Sequence, residues 1–225
     1  MKIIPERIER REMGYIVESA RNLGAQLRGE GFSPSLIQDE LEEFKKMEKS
    51  KGKVDLERFN KVKSEIAAIA KQQELPELER VLSIADEIRN KKNFILFFRA
   101  VSIYASLPSK EEMKTLINQG GRFLVETAKE LGTQLLHGDL TSSQIRNIFG
   151  EVRRIQMSQS FKDKLILLKP KLAYAAARAD ELGAYLFRDV MTMAIDEVGD
   201  SEEKFQRFVD FFEAILAYHR AAGGR

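Results

Sequence analysis

The chain has 225 residues, 43% of them hydrophobic and 32% charged, with a formal net charge of +2, no cysteine and two histidines. That length suits one or two domains, and the apolar content is too high for general disorder although the charged share exceeds the usual ~25%. Without cysteine there are no disulfides, thiolate zinc sites or cysteine nucleophiles, and His137 and His219 are too few for most transition-metal sites. Apolar runs such as Phe94 to Phe98 are far short of the ~18 residues of a membrane span. Charges crowd the N-terminus from Met1 to Arg7 before any signal-peptide core forms, so the expectation is a cytoplasmic protein with no membrane contact and no cofactor.

Apolar residues recur at spacings of three and four between Gly and Pro punctuation, and no alternating β-branched stretches occur, so the predicted class is all-α. Helices are predicted near 6 to 28, 34 to 49, 54 to 73, 76 to 92 and 94 to 106. Beyond Leu107-Pro108-Ser109 they are predicted near 110 to 118, 121 to 136, 142 to 158, 161 to 180, 181 to 198 and 201 to 221. Pro34 and Pro76 fit first helical positions. Ser109 with Glu112, and Thr141 with Gln144, have capping-box spacing. Phe94 to Val101 is apolar nearly all round, which marks a helix that is buried or covered by another chain, a central core helix being the commoner case, and Phe205, Phe208, Val209, Phe212, Ile215 and Leu216 form an amphipathic stripe that reads as core. Pro170 removes a backbone donor inside an apolar run and predicts a kink or break there. No fixed-period repeat stands out, so a solenoid is weakly supported. The expected organisation is an N-terminal helical region, 1 to 108, followed by a bundle of about five helices, 109 to 225.

Charge is unevenly distributed. Between Thr141 and Arg178 eight bases face two acids, whereas between Ala179 and Arg225 five bases face ten acids. At about 100° per residue, Ile145, Ile148, Phe149, Val152 and Ile155 share one side of a helix, and Arg146, Asn147, Gly150, Arg153 and Arg154 share the other. The following segment adds Lys162, Lys164, Lys169, Lys171 and Arg178. Two such helices turned back on each other would line a positive groove able to follow a phosphate backbone without reading bases. An ordinary solvated face accounts for the same charges. Tyr174 is positioned to stack on a base, although packing is the commoner role for a helical Tyr among alanines.

One tripeptide points elsewhere. His137-Gly138-Asp139 is similar to the catalytic loop of small kinases, whose Asp orients the hydroxyl nucleophile. Gln144 stands where a magnesium-binding Asn is needed, and no Gly-rich phosphate loop precedes it. A Gly ending one helix, with Asp139 or Thr141 capping the next, explains the same residues. G-x-S-x-G, Walker A and H-E-x-x-H patterns are absent and neighbouring acids such as Asp196-Glu197 suit solvated helix faces, so no metal or active site is predicted.

Leu140-Thr141-Ser142-Ser143-Gln144-Ile145-Arg146, then Val152-Arg153-Arg154-Ile155, then Leu167 to Arg178, resemble the hallmark segments of the small helical subunit of Csm complexes, the type III-A CRISPR effectors. The resemblance runs from about Thr115 to Ala221. It implies a non-catalytic RNA-binding protein acting in antiviral defence, lined up as several copies beside guide RNA and target RNA and held by other Csm subunits. It also implies that Arg146, Arg153, Arg154, Lys169, Lys171 and Arg178 contact phosphates. The opposed charge blocks suggest that copies associate head to tail, basic end to the acidic stretch from Asp180 to Glu213. A helical scaffold that binds only proteins is the alternative.

Overall fold

The computed structural model describes residues 3–4, 7–8, 12–50, 52–156 and 161–224. Every element among these residues is helical and none is a strand, an all-α bundle architecture. The chain divides into two compact units, Met1–Ser106 and Leu107–Arg225.

In the first unit, α1 (Met13–Gly29) leads through a 3-10 turn (Pro34–Ile37) to α2 (Gln38–Lys49). The helix predicted over 34 to 49 is thus a tight turn followed by an α-helix, and the predicted start at residue 6 lies outside the described residues. Asp55 caps α3 (Leu56–Gln72) by accepting from the Glu57 and Arg58 amides. Pro76 opens α4 (Pro76–Asp86), as its fixed φ and missing N–H allow. This helix ends short of residue 92 because Asn90 accepts from the Lys92 and Asn93 amides and caps α5 (Lys91–Ser106). The all-round apolar α5 is central as its pattern requires: every residue from Asn93 to Ala105 is buried. Its Phe94 ring stands edge-on to Phe59, centroids 4.9 Å apart, and Phe44 and Phe98 complete the cluster. Arg99 of α5 is paired with Glu48 of α2 where both are largely buried.

The second unit opens with α6 (Lys110–Gln119), whose Ser109–Glu112 capping box has both reciprocal bonds. Then come α7 (Gly121–His137), α8 (Ser142–Gln156), α9 (Phe161–Ile166), α10 (Leu168–Ala179), α11 (Leu182–Val198) and α12 (Glu202–Ala221). The α12 aromatic stripe is the core: Phe212 is fully buried, with the Phe149 and Phe187 centroids each 5.2 Å away. α7 crosses α12 at Gly132, where a Cβ would lie 2.7 Å from the His219 amide nitrogen, so only a glycine permits this approach. The predicted helix over 161 to 180 is broken at Leu167. The Pro170 ring would collide with the carbonyl four residues back, that of Ile166, where α9 stops. Pro170 instead sits in the first turn of α10, where an N–H needs no intrahelical partner. Residues 157 and 158, predicted as the end of a helix, lie outside the described residues.

Candidate nucleic-acid interface

The start of α8 is fixed twice over. Thr141 and Gln144 form the expected capping pair, the Thr141 amide donating to Gln144 Oε1 and the Gln144 amide to Thr141 Oγ1. Behind it, the fully buried His219 of α12 donates from Nε2 to the Leu140 carbonyl at 2.8 Å, so its Nδ1 accepts from the Ser142 hydroxyl at 3.2 Å. Burial favours this neutral form of the ring, lowering the His219 pKa against the opposing pull of the Leu140 carbonyl.

A pH dependence follows. The unfolded chain protonates His219 near pH 6.5 and the folded chain resists doing so, hence its contribution is complete above that pH and declines as pH falls through it. Urea titrations are expected to show the midpoint dropping between pH 7.5 and 5.5 in the wild type. His219→Gln starts less stable and loses this part of the slope; an unchanged slope would contradict the assignment.

The His137-Gly138-Asp139 stretch serves the fold. Gly138 accepts the Gly183 amide at 2.7 Å, and a Cβ on Gly138 would lie 2.5 Å from that nitrogen. Asp139 takes the left-handed conformation (φ 68°) that ends α7, with the Leu140 amide closing on the Leu135 carbonyl. Among the described residues no group of three or more His, Asp or Glu could hold a metal, and no helix is long and apolar enough to cross a membrane.

α8 and α10 run antiparallel with an open seam between them. At one end is a cavity of about 410 Å³ walled by Gln144, Asn147 and Ile148 of α8 and Leu172 and Arg178 of α10, with Phe187 of α11 behind. At the other end a smaller hollow of about 170 Å³ is walled by Glu151, Arg154, Lys164 and Lys171. Glu151 pairs with both Arg154 and Lys171, and the Lys171 hydrogen bond lowers its pKa more than burial raises it. Two cations therefore flank one ionised carboxylate, and Lys164 lines the same hollow. Tyr174, 68% exposed on the cavity rim, takes no part in the core, against the packing role favoured from sequence.

The remaining cations lie apart from the seam. Arg153 pairs with Glu213 of α12 at 3.3 Å, Lys162 with Asp200 at 2.7 Å, and Lys169 with Asp196 of α11. Arg146 and Arg153, seven residues apart, share a stripe about 100° round α8 from that of Asn147 and Arg154. The structure thus gathers Arg154, Lys164, Lys171 and Arg178 along one seam and directs Arg146, Arg153, Lys162 and Lys169 elsewhere. Sequence reasoning missed Gln144 and Glu151 as seam residues. Their spacing with Asn147 and Arg154, three or four residues at a time, was the available signal.

Residues 118–225 match the family model described as Csm2 Type III-A. That span holds all of α7 to α12 and every sequence segment that carries the resemblance. No curated protein and no solved structure matches the chain.

Proposed function

We propose that this chain, whose residues 118–225 match the Csm2 Type III-A family, is the RNA-binding small subunit of a type III-A CRISPR complex and holds RNA along the α8–α10 seam. One observation carries the reading: the exposed Tyr174 ring stands between Lys171 and Arg178 on the face of α10 that borders the seam, an aromatic platform between two cations. Backbone phosphates of guide or target RNA meet Arg154, Lys164, Lys171 and Arg178, and a base stacks on Tyr174. No sequence is read, since phosphate contacts are the same for every base. Other Csm subunits hold the protein in place, and its part in the complex is positional, with no bond made or broken.

Head-to-tail association of copies belongs to the same proposal in narrower form. Asp196, Asp200 and Glu213, acids of the stretch assigned to that contact, already neutralise Lys169, Lys162 and Arg153 of their own chain. Fewer charges remain for a neighbouring copy.

The test is fluorescence anisotropy of labelled single-stranded RNA with the full chain, at low and at physiological salt. Binding is expected to weaken steeply with salt and to be similar for unrelated sequences. Tyr174→Ala should weaken it by about 1–3 kcal/mol while Tyr174→Phe retains it. Absence of binding at low salt would favour the protein-binding scaffold instead.

A further inference from the structure

The two units share a sequence. Residues 14 to 47 align without a gap with 122 to 155, and ten of the 34 pairs are identical, among them Val17/Val125, Leu23/Leu131, Gly24/Gly132, Leu27/Leu135 and Ile37/Ile145. Residues 94 to 104 align with 208 to 218, with identical pairs at Phe94/Phe208, Phe97/Phe211, Phe98/Phe212, Ala100/Ala214 and Tyr104/Tyr218. The period is far longer than that of a solenoid, and the expectation of an unrepeated chain gives way to it.

The packing repeats as the sequence does. A Cβ on Gly24 would lie 2.7 Å from the Tyr104 side chain, as one on Gly132 would lie 3.0 Å from that of Tyr218. Thus α1 meets α5 as α7 meets α12. The Phe32 amide closes on Leu27 after a left-handed Gly31, as the Leu140 amide closes on Leu135 after a left-handed Asp139. Buried Phe59, Val62, Ile66 and Ala70 of α3 have the spacing of buried Leu165, Leu168, Leu172 and Ala176, and Glu74 and Asp180 end both stretches at φ 52°.

Ion pairs correspond too. Lys46–Glu43 matches Arg154–Glu151, and Lys63–Asp86 matches Lys169–Asp196. Arg99 of α5 pairs with Glu48 of α2, and its counterpart Glu213 of α12 pairs with Arg153 of α8, one helical turn before the position equivalent to Glu48: the same two helices are bridged with the polarity reversed. Shared helical propensity alone would not reproduce these tertiary partners.

Lys46 and Arg58 stand at the places of the seam residues Arg154 and Lys164, whereas the exposed seam positions of α10 have diverged. Where α10 carries Lys171, Tyr174 and Arg178, the register of α3 places Glu65, Ala68 and Gln72. From 34 to 73 nine bases meet eight acids, in contrast to eight and two over the C-terminal counterpart, 142 to 179. We propose that Met1–Ser106 is a second, diverged copy of the module in Leu107–Arg225, giving one chain two small-subunit bodies in tandem, of which only the C-terminal one keeps the polyanion seam. The tandem stands on the repeat itself; the division of labour rests on the RNA reading above.

Two measurements on the full chain separate these parts. Sedimentation with a short oligouridylate is expected to give one RNA per wild-type chain. The variant Glu65→Lys/Ala68→Tyr/Gln72→Arg, which grafts exposed seam residues onto α3, should give two. A graft that stays at one with unchanged circular dichroism, or a wild type that already binds two, overturns the division of labour between the two units. A wild type that binds none refutes the RNA reading, and electron cryomicroscopy of the assembled complex then decides the tandem. Two bodies of the same helix order per chain, at successive small-subunit positions, are expected there; one such body per chain overturns it.

Discussion

Truncating Phe212 to alanine is expected to cost the C-terminal unit about 3–5 kcal/mol, the usual result of emptying a fully buried aromatic site. The ring lies where α12 meets α8 and α11: Phe187 stands edge-on at 88°, Phe149 is tilted at 38°, and Phe208 of its own helix is edge-on at 6.4 Å. Helices that also close on a glycine contact at Gly132 have little freedom to collapse into the void. Urea denaturation followed by circular dichroism measures the loss. Phe123→Ala, at a ring 38% exposed on α7, supplies the control and should cost well under half as much. Comparable losses for the two would show that Phe212 is not the junction of these helices.

The second large effect concerns RNA. Lys171→Gln with Arg178→Gln removes two seam cations, and about a hundredfold loss of affinity is expected at physiological salt if each charge-assisted contact is worth about 1.5 kcal/mol. The slope of log affinity against log salt should fall by about 1.4, some 0.7 per phosphate contact on a single strand. Lys162→Gln with Lys169→Gln changes the net charge equally. Those two ammonium groups lie off the seam, turned towards Asp200 and Asp196, so little affinity should be lost. Equal losses in the two double variants would assign binding to overall charge and remove the seam from consideration.

Local order in this protein was legible because it is set by neighbours in the chain. The Ser109–Glu112 box, the Thr141–Gln144 pair, the prolines at helix starts and the buried α5 all follow from side chains within one or two turns of their partners. The break at Leu167 was legible in kind but displaced, because the proline acts on the carbonyl four residues before it. The resemblance was equally local, and the family match covers every segment that carries it.

Which cations work together was not legible. Arg153 and Arg154 are adjacent in sequence, yet a 100° rotation sends one to Glu213 of α12 and the other to Glu151 and the seam. The acidic stretch from Asp180 to Glu213 looked like a surface for another molecule until folding brought three of its carboxylates onto the chain's own lysines and arginine.

The amino-acid order alone determined the helical class, the caps, the buried stripes and the resemblance of the C-terminal half to the family whose model it matches, since each depends on periodicity and short-range contacts. Only the tertiary structure decided which charges cancel, that Tyr174 is exposed, and that His219 is held neutral behind α8. Those outcomes depend on helices distant in sequence coming within a few ångströms, where Coulomb attraction and desolvation act between groups whose spacing along the chain carries no record of their approach.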